Sequence, residues 1–368
     1  MIEWMESTML TERVMGVLSY CFVVFIGYMF IKRKRVALGL SICLVLLVVL
    51  AFFYIPSEDA DLYRIRNMTE NWGDYSLEDI LRDKILKSSV PVAHFIYFIV
   101  AKIGVAGVLP AFAAFVFFGN AFHIFKHIAR EKRYSSDAIA VAFLLFMSSG
   151  AFLEVISGIR CFMAISIIAR FAYDEVTSKN LSLLYLPFYL IASLMHSAAL
   201  MLTIIWLTFT VFRSRKLSII KLFINLITVL SVVTVSIILG FDYISSMIDK
   251  AELFLDNEVY SYIWEYIIGA LQLIIYILIL IKSRKKMHSD FIDFSILMIV
   301  IVLCFCFEYN IFHRFIAAVS FFMIPVSVHT DDGQSGIKLK DIFLWALIIL
   351  FIACTRGNLC GFKFVLLR

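Results

Sequence analysis

The stretch VALGLSICLVLLVVLAFFYI at residues 36–55 decides the fold class, because it carries no charged residue and is long enough to cross a bilayer. A helix needs about 20 apolar residues to span a hydrocarbon core ~30 Å thick. Backbone amides in lipid must be satisfied within their own segment, and no alternating pattern of about ten residues suggests a barrel. The stretch therefore predicts a membrane-spanning α-helix.

Further apolar blocks repeat this pattern, which predicts an all-α, polytopic transmembrane helical bundle. Hydrophobic residues make up 62% and charged residues 17% of the 368 positions, whereas soluble domains carry about 25% charge. Other blocks of sufficient length, alone or with their flanks, are 14–31, 217–240, 259–281, 291–307 and 342–354. We expect a single integral membrane domain over residues 1–368, with about 11 to 12 crossings.

Basic residues predict which helix ends face the cytoplasm. The basic run 32–35 follows the first apolar block and acidic residues precede it, which argues against a cleaved signal peptide and for an outward-facing N-terminus. The other basic clusters are at 126–133, 213–216 and 282–286. The acidic loops 56–90 and 241–258 then lie outside. An amphipathic segment at 77–86 within the first loop suits the membrane interface, or is a solvated loop helix.

The net charge of +5 comes from the inner basic loops, which suit anionic lipid rather than nucleic acid. Two regions do not fit one simple crossing each. Residues 181–212 lie between basic flanks that both belong in the cytoplasm, so we expect two short helices that turn at 196–199. Residues 91–125 must cross an odd number of times, so we expect one span preceded by a tilted or re-entrant helix ending near 102–107.

Ionisable residues bordering spans are costly and mark functional sites by default. On this topology several such residues lie at the outer ends of helices and converge on one outward-facing cavity. They are Asp59, Asp61, Tyr63, Arg64, Arg66, Glu154, Arg160, His196, Glu308, Tyr309, Asn310, His313 and Arg314. Arg160 has a simpler alternative role in reaching the lipid headgroups, and His196 has one as a hydrogen-bonded core histidine. His313 and Arg314 are about 100° apart on a helix, and we favour Arg314 as the cavity residue.

Three sets of segments then carry a family resemblance. They are DADLYR at 59–64, GIRCFMAI at 158–165 followed by ASLMHSAAL at 192–200, and NIFHRF at 310–315 running into FMIP at 322–325. In this order and spacing the chain resembles the EpsG-type branch of the Wzy-like polysaccharide polymerases. It departs from that pattern at Cys161, where a glutamine commonly follows the arginine, so no role is carried over to that side chain.

The resemblance implies a GT-C-like glycosyltransferase of the bacterial inner (cytoplasmic) membrane. Such an enzyme polymerises oligosaccharide repeat units, carried on undecaprenyl pyrophosphate, into O-antigen, capsule or exopolysaccharide at the periplasmic face. The expected partners are these lipid-linked oligosaccharides and the membrane lipids, and a chain-length regulator would be a further one. No nucleotide sugar is used, so no Gly-rich phosphate loop is needed, and the sequence contains none. No cofactor is expected.

The chemistry of this reaction suggests roles for the outer residues. Breaking the sugar–phosphate bond develops charge on the pyrophosphate, which guanidinium groups can clamp in a bidentate manner. The expected pyrophosphate- and sugar-binding residues are Tyr63, Arg64, Arg160, His313 and Arg314. A carboxylate or imidazole would deprotonate the attacking hydroxyl, and the catalytic candidates are Asp59, Asp61, His196 and Glu308. The Asp59/Asp61 pair suits a base or a sugar contact better than a metal ion.

Two other classes of membrane protein stay open at this point. A transporter or flippase for lipid-linked sugars would also carry intramembrane arginines, but it should show internal repeats and sites near the midplane. A membrane-bound polysaccharide acyltransferase needs a histidine and a carboxylate near an acyl donor that enters from the cytoplasm. In this chain no convincing repeat is visible, and the histidine and acids face outward on the predicted topology.

Overall fold

The computed structural model describes residues 2–56, 60–131, 134–149, 151–178, 183–213, 263–283, 289–306, 309–328 and 338–356. Every regular element within these ranges is helical, which confirms the all-α prediction. The first helices along the chain are α1 (Ile2–Lys32), α2 (Val36–Phe52), α3 (Asp61–Thr69), α4 (Leu77–Ile80), α5 (Pro91–Ile103), α6 (Val108–Arg130), α7 (Ser136–Ser148) and α8 (Ala151–Ser157). They are followed, within the described ranges, by α9 (Ile159–Ser178), α10 (Leu186–Ser193), α11 (Ser197–Arg213), α12 (Ile263–Ser283), α13 (Ser289–Cys304), α14 (Tyr309–Val328) and α15 (Leu339–Thr355).

Several of these helices can cross a membrane. Counting only the described residues, four are long and apolar enough: Val14–Lys32 within α1, Val108–Arg130, Ile263–Ile281 and Ile311–Val328. The α7–α8 pair passes the same test together, which raises the number to five. The chain is therefore a polytopic helical membrane protein. The total of about 11 to 12 crossings stays a prediction, because the apolar block 217–240 and the loop 241–258 lie outside the described residues.

Helix α2 shows why the quoted stretch folds as it does. Its buried residues include Leu40, Cys43, Leu47 and Ala51, which follow the helical repeat and form one stripe that faces the protein. The opposite face, including Val45, is exposed as expected for contact with lipid tails. α2 packs on α1 and α6. A Cβ added at Gly39 would lie 2.7 Å from Cβ of Phe30, so the close approach of α1 and α2 requires a glycine there.

The region 91–125 contains two helices, as predicted. α5 is 13 residues long, which is short for a crossing, and it ends at Gly104 in the left-handed conformation with φ of 72°. α6 then begins at Val108. The break falls within the predicted interval 102–107, while the re-entrant placement of α5 remains a prediction.

The region 181–212 also contains two helices. α10 ends at Ser193 and α11 begins at Ser197, so the turn occupies residues 194–196 and starts two residues before the predicted position. The backbone N–H of Ala198 donates to Nδ1 of His196 at 3.1 Å. The imidazole therefore caps the first turn of α11, which explains why the helix starts directly after His196.

Two further segments refine the sequence-based map. The apolar run 137–157 is not one straight helix, because α7 and α8 are bent by 55° at the break between them. The amphipathic segment is helical, with α4 continuing into a π-helical turn at Leu81–Ile85. Ile80 and Ile85 are buried within it, and Leu77 and Leu86 are exposed. Its position relative to the membrane interface remains a prediction.

An aromatic cluster fills the centre of the bundle and closes the inner end of the cavity described below. The Phe117 ring of α6 contacts the rings of Phe146 on α7, Phe162 on α9 and Phe321 on α14, with centroids 5.0 to 6.2 Å apart. Edge-to-face aromatic pairs of this kind add to the stability that burial already supplies. The cluster therefore fixes four helices relative to one another just beneath the polar residues of the cavity.

Candidate functional site

A cavity with an open mouth lies between α1, α6, α7, α8, α12 and α14. Its deeper walls include the apolar residues Phe117, Phe118, Phe146 and Met147. Its polar residues include Glu154, Glu265, Gln272, His313 and Ser320. Because the predicted topology puts the start of α12 and α14 and the end of α8 outside, the cavity is expected to open toward the outer face.

The shortest charged contact of the cavity joins α8 to α14. Oε2 of Glu154 and Nε2 of His313 are 2.6 Å apart, and the two side chains are only 15% and 18% exposed. The Phe162 ring meets the His313 ring nearly edge-on, with centroids 5.9 Å apart and planes at 74°. This contact places Glu154 of α8 directly beside α14. The carboxylate and the imidazole thus form a held pair on the cavity wall.

A second carboxylate stands opposite this pair. Glu265 lies in the first turn of α12 and interacts electrostatically with Glu154 and His313. A Cβ added at Gly269, one turn further along, would lie 2.7 Å from Cδ1 of Ile316 and 2.8 Å from Cε1 of Phe312. The glycine therefore lets α12 approach α14 closely, and this approach brings Glu265 to the cavity.

A buried amide forms part of the deeper wall. Gln272 is 1% exposed, and its Nε2 donates to the hydroxyl of Tyr276 at 2.8 Å and to Oγ of Ser320 at 3.1 Å. Ser320 in turn donates to the carbonyl of Ile316 at 2.9 Å. These bonds fix the orientation of the amide, since rotation would break both donated bonds.

Arg160 and Arg314 lie in the first turns of α9 and α14. Arg160 interacts electrostatically with His94 and Tyr97 of α5, and Asp61 also interacts with Tyr97. Arg160 and Arg314 both act on Cys161. The structure therefore brings Asp61, Arg160 and Arg314 into one neighbourhood, although these residues come from three separate parts of the sequence.

The remaining predicted site residues have different surroundings. Asp61 and Arg64 form an exposed salt bridge of 3.3 Å within α3, and Tyr63 between them is half-buried. His196 caps α11, as described above. Asp59 and Glu308 lie outside the described residues. Among the residues that are described, no group of three or more His, Cys, Asp or Glu side chains has the arrangement of a metal site.

The sequence profile of the EpsG family matches residues 94–363, which is well over half of the chain. The chain belongs to the EpsG family. No curated protein and no solved structure matches it. Membership of the EpsG family supports a role in polysaccharide biosynthesis of the polymerase type. Within the bundle the match begins in α5 and includes Glu154, Glu265, Gln272, His313 and Ser320 of the cavity, whereas the segment 59–64 precedes it.

In this EpsG-family chain, the geometry adds residues that sequence reasoning missed. Glu265 and Gln272 were not among the predicted site residues. Both lie inside the apolar block 259–281, whose hydrophobic pattern a single acidic residue does not interrupt. The signal was nevertheless present, since an ionisable residue within a span is costly enough to mark a function. The structure also places His313, rather than the favoured Arg314, in the cavity lining.

Proposed function

We propose that this EpsG-family chain polymerises oligosaccharide repeat units carried on undecaprenyl pyrophosphate at the periplasmic face of the bacterial inner membrane. The product would be an O-antigen, a capsule or an exopolysaccharide, and the activity would be that of a glycosyltransferase. The observation that supports this proposal best is the arrangement of charge. An acidic cavity and an arginine-rich neighbourhood adjoin each other at the end of the bundle that the charge bias puts outside.

The two regions adjoin because they come from the same pieces of chain. Glu154 and Arg160 flank the corner between α8 and α9. His313 and Arg314 are neighbours in the first turns of α14 and point in directions about 100° apart. A substrate that carries both a pyrophosphate and a sugar can therefore meet cations on one side and carboxylates on the other.

In the proposed reaction the donor is the growing chain on its lipid pyrophosphate, and the acceptor is a new lipid-linked unit. The arginines would hold the pyrophosphate and stabilise the charge that develops on it as the sugar–phosphate bond breaks. Arg160 and Arg314 are the residues we assign to this role. The lipid tails of the donor and the acceptor would stay in the surrounding membrane, beside the bundle. A chain-length regulator protein would act on this chain from outside the bundle.

Deletion of the gene for this chain tests the proposal in cells. We expect the ladder of polymerised polysaccharide to disappear and lipid-linked single repeat units to accumulate on the outer leaflet. Restoring the wild-type gene should restore the ladder. Polymer of normal length in the deletion cells would contradict the proposal. Accumulation of single units on the inner leaflet would also contradict it and would favour a flippase.

A further inference from the structure

The attacking hydroxyl needs a proton acceptor, and the candidates from the sequence leave this role open. Asp61 is ion-paired with Arg64 at 3.3 Å in an exposed turn, and Nδ1 of His196 accepts a backbone hydrogen bond. Asp59 and Glu308 lie outside the described residues. The cavity carboxylates provide another set of candidates, at the outer ends of helices that the family match covers.

On the basis of the proposed polymerase function, we infer that the cavity is the subsite for the acceptor sugar and that Glu154, held by His313, accepts the proton of the attacking hydroxyl. Glu265 and Gln272 would bind other hydroxyl groups of the same sugar. This assigns the acceptor side of the reaction to side chains that differ from the four original candidates.

The charge of the cavity favours a sugar over a pyrophosphate. Two carboxylates in one lining, Glu154 and Glu265, would repel a phosphate group placed between them. Sugar hydroxyls, by contrast, donate hydrogen bonds to carboxylates, which are acceptor groups when ionised. The rings of Phe117 and Phe118 on the deeper wall offer apolar surface for the C–H groups of a sugar. The donor pyrophosphate would stay with the arginines outside.

The buried amide supports the same assignment independently of the acids. Within the described residues, both hydrogen bonds of the Gln272 side chain are donated by Nε2, to Tyr276 and Ser320. The carbonyl oxygen Oε1 is therefore the atom that can accept a hydrogen bond from a hydroxyl group of a ligand in the cavity. A side chain that is only 1% exposed requires a partner for each polar atom.

The geometry of Glu154 suits a proton acceptor. Its Oε2 lies 2.6 Å from Nε2 of His313, and a carboxylate offers about four lone-pair positions. A hydroxyl can therefore donate a hydrogen bond to this carboxylate while the imidazole stays in contact with it. Phe162 and the short contact to Glu154 fix the imidazole.

The proposed transfer needs only the cavity residues named above and the two substrates. The hydroxyl oxygen of the acceptor forms a bond to the anomeric carbon of the donor sugar, and the bond from that carbon to the phosphate oxygen breaks. The pyrophosphate leaves with the bonding electron pair, and the hydroxyl proton passes to Glu154. Water takes this proton once the lengthened chain has left the cavity.

The experiment uses purified full-length protein in proteoliposomes, with lipid-linked single repeat units extracted from the deletion cells as substrate. Glu154→Gln keeps the shape but removes the base, so kcat should fall by about 10²- to 10⁴-fold with little change in KM. Glu154→Ala opens space for a small carboxylate, and added formate should restore part of its turnover. A residue with a purely structural role would not respond to formate.

Asp174→Asn is the matched control, since Asp174 also pairs with an imidazole, that of His123, at 3.2 Å elsewhere in the bundle. Its kcat per folded protein should equal that of the wild type. If the Glu154 variants do not yield folded protein, His313→Gln must show the same loss of kcat, because the carboxylate is no longer held. Wild-type kcat in Glu154→Gln or His313→Gln, or a loss in Glu154→Ala that formate does not relieve, would overturn the assignment. Failure of the wild-type protein itself to lengthen the units would instead refute the polymerase proposal.

Discussion

Two carboxylate–imidazole pairs in this bundle have similar chemistry and opposite surroundings. Glu154 and His313 line the cavity and have a second carboxylate, Glu265, nearby. Asp174 and His123 lie near the other end of α6 and α9, where Nε of Arg170 is 3.7 Å from Asp174. In the first pair negative charge accumulates beside the imidazole, and in the second an arginine balances it.

This difference indicates that the Glu154–His313 pair takes part in the chemistry and that the Asp174–His123 pair holds helices together. Arg170 also donates to Oδ1 of Asn120 at 3.4 Å, and Asn120 donates to Oγ of Ser166 at 3.0 Å. Such a connected network joins α6 to α9 and stabilises the contact between them. The cavity pair instead lies at an opening with a second carboxylate in the same lining, and ionisable residues in such a place are expected where a ligand uses them.

Arginine substitutions give the largest effect that separates the two regions. Lysine keeps the charge of Arg160 or Arg314 but lacks the planar fork, so polymerisation should fall by about 10²- to 10³-fold in either variant. Arg170→Lys is the matched control and should retain turnover. The measurement is the initial rate of chain elongation per folded protein. Full activity of both outer lysine variants would show that these arginines only anchor helices.

A smaller effect is expected at the second carboxylate of the cavity. Glu265→Gln removes a charged acceptor but not the base, so KM for the acceptor should rise by about 10-fold while kcat is retained. Steady-state kinetics with varied lipid-linked units separate the two constants. An unchanged KM, or a loss of kcat as large as that of Glu154→Gln, would show that the roles of sugar binding and proton acceptance are not divided between Glu265 and Glu154.

The balanced pair should respond in stability rather than in rate. Asp174→Asn leaves Arg170 and His123 without their counter-ion, which should lower the free energy of unfolding by about 1 to 3 kcal/mol. Thermal unfolding in detergent measures the change, and elongation per folded protein should match the wild type. A large loss of turnover with unchanged stability would show that the Asp174–His123 pair also serves the reaction and does not only hold helices together.

The smallest effect is expected at His196, where two substitutions distinguish a cap from a base. Asparagine can still accept the Ala198 N–H, so His196→Asn should keep both stability and turnover. His196→Ala loses the cap and should be less stable by about 1 kcal/mol. The measurements are thermal unfolding and elongation rate. A steep loss of turnover in His196→Asn would show that the imidazole takes part in catalysis.

Much of the fold could be predicted from the sequence, because lipid imposes strict rules on apolar length and on charge bias. The block at 36–55 and the break after α5 follow directly from these rules. The bend between α7 and α8 has a sequence signal in the run SSG at 148–150, which the apolar length of the block outweighed. Its angle could not be predicted, because a Ser-Gly pair marks a break without fixing its direction.

The candidate site could be predicted only in part. Charge bias predicts that Arg160 and Arg314 lie at outer helix ends. In the structure both act electrostatically on Cys161, and their outer position stays a prediction. The pairing of Glu154 with His313 depends on side-chain direction, and a sequence gives only the angle between neighbours. Glu265 reaches the cavity because Gly269 allows a close helix contact, and such contacts are invisible without the partner helix.

The central claim is that this chain lengthens lipid-linked repeat units at the outer face of the membrane, and reconstitution tests it most directly. Purified protein in proteoliposomes would receive single units extracted from deletion cells, and mass spectrometry would follow the products. The account predicts lipid-linked chains of two and more repeat units together with released undecaprenyl pyrophosphate. Units that stay single, or that only change leaflet, would contradict it.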